Sequence, residues 1–471
     1  MAWYDETNFY HIYPLGLCGA PKENKYDGVE HNLKKLDPWI NHIKNLGCNG
    51  IYIGPLFESV GHGYETTDYK KWDSRLGDND DLKAFVKKCH DNDIKVVFDG
   101  VFNHTGRDFF AFKDLKENRE NSRYKDWYCN VNFWGNNEYN DGFSYDNWGG
   151  YNLLVKLNQW NPEVRDYICD VIRFWVKEFD IDGIRLDAAD VLDFEFMKCL
   201  RNLANEIKED FWLMGEVIHG DYTRWVNNDT LHAVTNYVMH KALYSGHNDH
   251  NYFEIAHTQK RLNDMSQNNP LRLRLYNFVD NHDVERIYNK LNNKAHLVLV
   301  HILLYTLPGV PSIYYGSEFG IEGKKERGSD DSLRPVLNLE DFKDYMDNNV
   351  LTKSIKMLGE ARKESKALNY GIYRELLLTN RQYAYARTLN PDSMYYDGKP
   401  EEERIYDNVV ITLNNDDNPA CLNVPSDGFG KYKGVLSGSE INADNGRLNV
   451  NLEANSGEVW LPVRWYYLVV T

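Results

Sequence analysis

Four carboxylates each stand just after a short apolar segment with the pattern of a β-strand. The segments are VVFDGVFNH, GIRLDAAD, LMGEV and YNFVDNHD, and their acids are Asp99, Asp187, Glu216 and Asp283. In a barrel of parallel strands, residues at the strand C-termini converge on one mouth whatever their separation in sequence. Clustered like charges repel, so such a group indicates chemistry that needs both a protonated and an ionised carboxyl group. These residue types favour glycoside hydrolysis.

The elements that must position these acids alternate between strand-like and helix-like segments. Apolar runs are followed by amphipathic stretches such as PEVRDYICDVIRFWVKEF, in which apolar residues recur every three or four positions. Eight strand candidates, each followed by helical sequence, predict an α/β fold, the (β/α)₈ TIM barrel. The eight candidates are FYHIYPL, CNGIYIGPL, IKVVFDGV, DGIRLD, FWLMGEV, HAVTNY, LYNFVD and PSIYYG.

The alternation stops in two places. Residues from about 104 to 158 are polar and aromatic, which predicts a domain inserted after strand 3 and lying over the barrel mouth. Near the C-terminus, segments such as NVVITLN, LNVNLE and WYYLVVT alternate apolar with polar residues, and they predict an antiparallel β-sandwich. The predicted domains are the barrel in two parts (1–103 and 159–368), the insertion (104–158) and the C-terminal domain (369–471).

The composition excludes some classes of partner. The chain has 471 residues and a net charge of −17, which argues against a nucleic-acid partner because phosphate binding needs a basic face. No apolar run approaches the length that spans a membrane, so no membrane partner is predicted. The 33 Tyr and 12 Trp suit the stacking of sugar rings, although aromatic residues also fill cores. The oligomeric state stays open.

The cysteine pattern bears on the cellular compartment. The seven cysteines are odd in number and spread along the chain without a CxxC pair, which indicates free thiols in a reducing environment. The sequence passes from Met1 into a strand candidate without the basic and apolar regions of a signal peptide. We therefore expect a cytoplasmic protein.

Taken together and in order, DGVFNH, GIRLDAAD, MGEV and FVDNHD resemble four sequence regions of the alpha-amylase family, glycoside hydrolase family thirteen. LVKLN (154–158) is similar to a fifth region in the form found in neopullulanases and cyclomaltodextrinases. One departure is that Ala189 and Asp190 stand where many endo-acting amylases carry a Lys-His pair. The resemblance covers nearly the whole chain, and it implies a catalytic barrel, an inserted domain B and a C-terminal β domain.

The resemblance implies a retaining hydrolase that cleaves α-1,4-glucosidic bonds in α-glucan oligosaccharides, namely maltodextrins, cyclodextrins or starch fragments. Asp187 falls at the position of the nucleophile, and Arg185, two residues earlier on the same side of the strand, is expected to keep it ionised. Glu216 matches the general acid/base and is expected to stay protonated near neutrality. Asp283 matches the third acid, which contacts the sugar in the transition state.

Further residues are predicted around these three acids. Asp99 is expected to support the site by orienting Arg185 and Tyr64, or only to cap a helix or turn. The histidines of the motifs are sugar contacts or satisfied core residues, and Tyr64 stacks on the sugar or packs at the mouth. Trp127, Trp134 and Trp148 either line sugar subsites or form the core of domain B. The resemblance implies these substrate-binding residues: Tyr64, Asp68, His104, Arg185, His282, Asp331 and Arg334.

No cofactor is predicted to be required. Asn103 matches a residue that binds structural calcium in many members of the family, and oxygen ligands from domain B could complete such a site. The same side chain could instead cap a turn. A structural calcium ion is therefore possible but not expected to be required.

Two other functions fit parts of the pattern. A transglycosylase or an α-1,6-cleaving enzyme could use the same scaffold and the same acids with a different acceptor. Some relatives of this fold lose the catalytic acids and serve as subunits of membrane transporters. The presence of all three acids in this sequence argues against that second alternative.

Overall fold

The fold is a closed barrel of eight parallel strands followed by an antiparallel β domain. The computed structural model describes residues 1–269 and 271–464. Each barrel strand pairs with its neighbours in chain order, and the last strand pairs with the first. The barrel strands are β1 (Phe9–Ile12), β2 (Gly50–Ile53), β3 (Lys95–Gly100), β4 (Gly183–Leu186), β5 (Trp212–Gly215), β6 (Ala233–Thr235), β7 (Leu275–Phe278) and β8 (Val310–Tyr314). The predicted (β/α)₈ barrel is confirmed.

The barrel interior is packed with large side chains below the mouth, which is the opening at the C-terminal ends of the strands. Phe9 stacks on Trp212 with ring centroids 4.9 Å apart, and Tyr276 packs against Phe9 at 5.6 Å. Residues on both faces of β1, β2 and β5 are buried, which explains why these strands are continuous apolar runs without alternation. The interior is therefore a core, and only its upper end is available for chemistry.

Eight longer helices surround the barrel. They are α1 (Asp37–Asn45), α2 (Asn79–His90), α3 (Pro162–Phe179), α4 (Phe194–Ile207), α5 (Tyr237–Asn248), α6 (Tyr252–Met265), α7 (His296–Thr306) and α8 (Val350–Glu364). Several begin at a polar cap; for example, Asp193 accepts a hydrogen bond from the backbone N–H of Phe196 at the start of α4. The inserted segment contributes the helix Phe110–Asn118, and short helices among the described residues are Pro14–Leu17, Ile287–Lys290, Tyr345–Asn348 and Lys366–Tyr370.

One connection differs from the sequence prediction. Between β5 and β6 the chain forms a single 3₁₀ turn, Tyr222–Arg224, and no α-helix. The expectation that every strand is followed by helical sequence is therefore wrong at this position. Asp221 caps the turn by accepting the backbone N–H of Thr223, a local hydrogen bond that competes with helix formation.

The inserted segment after β3 forms a small sheet of its own. Strand Tyr151–Lys156 lies between His104–Thr105 and Asn147–Trp148, and all pairings are antiparallel. Trp127 is buried and donates its indole N–H to Glu163, so it belongs to a core. Trp134 is 98% exposed and Trp148 is 40% exposed, so these two side chains face solvent.

The C-terminal strands form two packed sheets. They are β9 (Ile372–Leu378), β10 (Gln382–Leu389), β11 (Asp407–Asn414), β12 (Ala420–Pro425), β13 (Lys431–Gly434), β14 (Glu440–Asn442), β15 (Arg447–Leu452) and β16 (Ser456–Pro462). One sheet has the order β9-β10-β11-β16-β13-β14, and β12 pairs with β15 in the other. Apolar side chains of both, including Val410, Leu422 and Val450, share one cluster. The predicted antiparallel domain is confirmed, while the predicted strand WYYLVVT lies outside the described residues.

The helix α7 joins the barrel to the C-terminal domain. All of its side chains except that of Val298 are buried, because one side faces the barrel and the other lies under β16. At its end, the guanidinium of Arg387 donates to the carbonyl oxygen of Thr306 at 2.6 Å and to that of Gly371. The two parts therefore share one continuous core.

This buried helix predicts sensitivity to acid. His301 on α7 contacts the carbonyl oxygen of Leu297 through Nδ1, and its Nε2 has no hydrogen-bond partner in the described part of the chain. Burial lowers the pKa of His301 to about 4. Below pH 6.5 His301 takes up a proton in the unfolded chain but not in the folded protein. The free energy of unfolding therefore decreases as the pH is lowered. We expect His301→Gln to reduce the loss of unfolding free energy between pH 8 and pH 5 by about 2 kcal/mol, measured by urea denaturation.

The exposed His257→Gln change is the matched control, and it should leave the pH dependence as it is in the parent protein. An unaltered pH dependence in His301→Gln would show that His301 has the same pKa in the folded protein as in the unfolded chain.

Candidate active site

One buried guanidinium lies at the centre of the barrel mouth and contacts three carboxylates. Nη1 of Arg185 donates to Oδ1 of Asp99 at 2.9 Å and to Oδ1 of Asp187 at 2.8 Å. Nη2 of the same residue lies 2.8 Å from Oε2 of Glu216. The structure thus brings together the predicted nucleophile, the predicted acid/base and the predicted supporting acid.

The register of three neighbouring strands produces this arrangement. Asp99 on β3 is directly opposite Arg185 on β4, and Leu186 on β4 is opposite Gly215 on β5. The ladder continues past the strand ends. The N–H of Asp187 donates to the carbonyl of Gly100 at 3.0 Å, and the N–H of Glu216 donates to the carbonyl of Leu186 at 2.9 Å. Both acids are therefore held by the backbone at the mouth.

The balance of charge around Arg185 is negative. Burial raises the pKa of Asp187 well above its ordinary value; Arg185 opposes this shift, and the neighbouring Glu216 and Asp99 add to it. Arg185 thus favours the ionised form of Asp187, as expected, but burial and two neighbouring acids oppose its effect. Three acids cannot all ionise around one cation in a buried site, so the cluster retains a proton.

Two tyrosines complete the environment of Asp99. Its Oδ2 accepts hydrogen bonds from the hydroxyl of Tyr52 at 3.0 Å and from that of Tyr64 at 3.2 Å, while its Oδ1 accepts from Arg185. Asp99 therefore lies between Arg185 and Tyr64, in the place that a supporting role requires. Tyr64 also contacts Nε2 of His282 with its hydroxyl, and the two rings are stacked with centroids 5.8 Å apart.

Asp283, the third predicted acid, is held by the side chains of His282 and Arg334. Nε2 of His282 lies 3.1 Å from Oδ2 of Asp283, and Nη2 of Arg334 donates to Oδ1 at 3.0 Å. Burial alone would raise the pKa of Asp283, but His282 and Arg334 lower it well below its ordinary value. Asp283 is therefore ionised, and one edge of its carboxylate remains exposed to the mouth.

His104 has an atom available for a ligand. The ring is buried, and its Nε2 has no hydrogen-bond partner among the described residues. Burial lowers the pKa of His104 to about 3, so the ring is neutral near pH 7. Its centroid lies 6.2 Å from that of Trp148, which places this exposed indole beside the site. A neutral imidazole nitrogen without a partner suits a hydrogen bond to a sugar hydroxyl.

Asn103 offers little support for a calcium site. Its Oδ1 is buried without a hydrogen-bond partner in the part of the chain that the structure describes, which suits one ligand oxygen. Calcium takes six to eight oxygen ligands. Within residues 1–269 and 271–464, the group of three His, Cys, Asp or Glu side chains with converging ligand atoms is that of His31, Asp78 and Asp81, and Asn103 is not part of it. The residues present do not fit a carboxylate-rich calcium site at Asn103.

Two predicted binding residues are not brought to the cluster. Asp68 is exposed, and its carboxylate accepts the backbone N–H of Lys70 at 2.8 Å. Asp331 is also exposed and pairs with Lys22. The neighbouring Asp330 reaches inward instead and lies 3.3 Å from Nη2 of Arg334. Each lies on the solvent side of a strand or 3₁₀ turn, so the proposed contacts of Asp68 and Asp331 with the sugar stay predictions.

Sequence reasoning missed several residues of the site. Tyr237 donates its hydroxyl to Oε1 of Glu216 at 3.3 Å, and Asn281 donates its Nδ2 to the hydroxyl of Tyr237 at 3.2 Å. Tyr52 and Asp330 were missed as well. The available signal for Tyr237 was its position directly after the strand segment HAVTN, which places it at the mouth like the acids.

A parallel barrel whose C-terminal mouth holds carboxylates around one buried cation is the arrangement of a glycoside hydrolase. The comparisons with known proteins agree. The family model of the alpha amylase catalytic domain matches residues 32–367. The chain is 31% identical over 436 residues to the cyclomaltodextrinase of Thermoanaerobacter pseudethanolicus, with 88% of this chain and 71% of that protein covered.

Two further relatives match nearly the whole chain. Neopullulanase 2 of Thermoactinomyces vulgaris is 28% identical over 484 residues, which covers 97% of this chain and 78% of that protein. The structure of the Nostoc punctiforme debranching enzyme superimposes with a TM-score of 0.77 at 26% identity and covers 98% of both chains. The chain therefore belongs to the alpha-amylase family of glycoside hydrolases.

The tight packing behind Asp99 predicts one mutational effect. A Cβ added at Gly54 would lie 2.2 Å from the Cβ of Asp99, so Gly54→Ala must displace this acid from Arg185. Because a displacement of about 1 Å can cost about 10²-fold in rate, we expect kcat/KM on maltotriose to fall by roughly that factor. The control is Gly28→Ala, at an exposed glycine with no atom within 4 Å of the added carbon, and it should act like the parent. Full activity in Gly54→Ala would contradict the tight placement of Asp99.

Proposed function

We propose that the chain is a retaining hydrolase of α-1,4-glucosidic bonds in maltodextrins, cyclodextrins and related α-glucans. The observation that carries the proposal is that Asp187 and Glu216 bind the two terminal nitrogens of one guanidinium at the barrel mouth. Two carboxyl groups bound to one guanidinium are near neighbours, which suits the retaining mechanism and its separation of about 5–5.5 Å. The names of the relatives, a cyclomaltodextrinase and a neopullulanase, support an α-glucan substrate.

In the proposed first step, Glu216 gives a proton to the oxygen of the leaving sugar while Asp187 attacks the anomeric carbon. The bond to the leaving oxygen breaks as the bond to Asp187 forms. The single proton that the cluster retains must then be carried by Glu216 and not by Asp187 in the reactive state. In the second step, ionised Glu216 takes a proton from water, and that water displaces Asp187.

The other residues are proposed to bind and stabilise. Asp283 is ionised and partly exposed, so it supplies negative charge where the sugar ring develops positive charge. Nε2 of His104 and Nδ1 of His282 have no partner among the residues that the structure describes, and they suit hydrogen bonds to sugar hydroxyls. Arg334 holds Asp283 in place, and Tyr64 offers a ring face at the mouth. This reaction needs no organic cofactor, because the carboxyl groups supply both the proton and the nucleophile.

A second candidate activity is the cleavage of α-1,6 bonds on the same scaffold. It is favoured by the likeness to a neopullulanase and to a debranching enzyme over almost the full length of this chain. Both activities use the same acids, and the difference lies in which linkage reaches Glu216. A product profile on pullulan, which contains both linkages, separates them.

We also propose that the protein works inside the cell. All seven cysteines are free thiols, and the sulfurs of Cys169 and Cys199 stay unbonded although they are 3.6 Å apart. Among the residues that the structure describes, no helix has the length and apolar character needed to cross a bilayer. An intracellular maltogenic amylase of Bacillus subtilis, 29% identical over 418 residues, supports this location.

Two substitutions test the roles of the acids. Asp187→Asn removes the nucleophile, so we expect less than about a hundredth of the parent rate on all substrates, with an unchanged melting temperature. Glu216→Gln removes the proton donor, so we expect a loss of 10²-fold or more in kcat/KM on maltotriose but a much smaller loss on α-maltosyl fluoride, which needs no proton. Equal losses on both substrates in Glu216→Gln would rule out the acid role.

The preferred substrate size is a separate prediction. The inserted segment places Trp148 beside His104 at the mouth, which narrows the space for a long polymer. We therefore expect a higher kcat/KM per glucose unit on short linear or cyclic maltodextrins than on soluble starch, with maltose and glucose as the main products. Side-by-side kinetics with product analysis provide the measurement. Faster cleavage of starch, with long products appearing first, would indicate an ordinary endo-acting enzyme.

A further inference from the structure

Glu216 has a hydrogen-bond partner on each of its two oxygens, and the two sides differ. Oε2 accepts the backbone N–H of Ala188 at 3.1 Å and also contacts Nη2 of Arg185 at 2.8 Å. Oε1 accepts only the hydroxyl of Tyr237, at 3.3 Å. A carboxylate oxygen has two lone-pair positions. Oε2 therefore lies against the N–H of Ala188 and the positive charge of Arg185, which both favour an oxygen without a proton, whereas Oε1 accepts one donor and keeps one position free.

The amide of Asn281 fixes the direction of the hydroxyl of Tyr237. Its Oδ1 accepts two backbone N–H groups, that of Asp283 at 2.8 Å and that of Val284 at 3.1 Å. The oxygen end of the amide is assigned by these two donors, so the Nδ2 end must face Tyr237. Nδ2 is only a donor, and it lies 3.2 Å from the hydroxyl oxygen. The hydroxyl of Tyr237 therefore accepts from Asn281 and directs its own proton towards Glu216.

Packing holds this chain of hydrogen bonds in place. The ring of Tyr237 lies edge-on to that of Phe278, with centroids 4.9 Å apart, at the start of α5. Asn236, the preceding residue, caps α5 and bonds the side chain of Asn277 on β7. The loop that carries Asp283 is thus linked through Asn281 and Tyr237 to Glu216, the proposed acid/base directly after β5.

We propose that Tyr237, oriented by Asn281, is a positioning residue that holds Glu216 with Oε1 as the oxygen that carries and transfers the proton. The proposal rests on the role of Glu216 as acid/base in the proposed function. In the first step the proton occupies the free position on Oε1 and passes from there to the leaving oxygen. In the second step the same position receives the proton of the attacking water, while Tyr237 stabilises the ionised carboxylate between the steps.

The test compares Tyr237→Phe with the parent on two substrates that share a maltosyl group, maltotriose and α-maltosyl fluoride. Phenylalanine keeps the ring packing and removes only the hydroxyl. The value of kcat/KM reports the first step, in which maltotriose needs the proton and the fluoride does not. We expect a loss of about tenfold or more on maltotriose and of less than about threefold on the fluoride.

The pH profile of kcat/KM gives a second readout. The hydroxyl of Tyr237 donates to the ionised form of Glu216, and a hydrogen bond to the charged form favours that form. Its loss should therefore move the basic limb of the profile on maltotriose to higher pH. A residue that only fills space would leave this limb unmoved.

Two further variants sharpen the assignment. Tyr52→Phe is the matched control, because it removes a tyrosine hydroxyl from Asp99 and not from Glu216. It should lower kcat/KM on both substrates by the same factor. Asn281→Asp keeps an acceptor for the two backbone N–H groups but replaces the Nδ2 donor by a second acceptor, which draws the proton of Tyr237 away from Glu216. It should reproduce the dependence on the leaving group seen in Tyr237→Phe.

The possible results separate this inference from the proposed function. If Glu216→Gln itself shows no difference between the two substrates, the acid role of Glu216 fails. If Glu216→Gln shows the difference and Tyr237→Phe loses activity equally on both substrates, or on neither, the positioning role of Tyr237 is overturned. A difference in Tyr237→Phe that is absent in Asn281→Asp would overturn the orienting role of Asn281.

Discussion

The structure depends on a single cation, Arg185, shared by three acids at the barrel mouth. Without Arg185, the carboxylates of Asp99, Asp187 and Glu216 would repel one another at the mouth, since a buried charge without a partner is strongly unfavourable. With it, the cluster is still short of positive charge and retains a proton. Glycosidic bond cleavage needs this retained proton, because one acid must be protonated while another is ionised at the same time.

The surrounding scaffold makes this sharing possible by supplying donors that are not charged. Hydroxyl groups of Tyr52 and Tyr64 bond Asp99, and the N–H of Ala188 bonds Glu216. Ala188 has a positive φ of 46°, a left-handed conformation that is unusual for a residue other than glycine and is common at functional sites. Below the acids, stacked rings such as those of Phe9 and Trp212 fill the barrel, so the cluster lies between this core and the mouth.

The sequence was sufficient to predict the barrel, the C-terminal sheet domain and the positions of the main acids, because each depends on periodicity or on a residue directly after a strand. It failed where the direction of a side chain decides the contact. Asp330 and not Asp331 reaches Arg334, and the choice depends on the geometry of a 3₁₀ turn. The direction in which the pKa of Asp187 shifts could not be predicted either, since it depends on burial and on the acids that only the fold brings together.

The helix α7 has a consequence for how this chain can be modified. A helix that is apolar on nearly all sides is stable only when both of its faces are covered, here by the barrel and by β16. Cutting the chain after the barrel would leave Leu299 and Ile302 in water and the carbonyl of Thr306 without Arg387. Such a fragment would expose an apolar surface on α7 and would aggregate. The barrel therefore cannot be transferred to another protein by itself, and chimeric enzymes built from it must include the C-terminal strands.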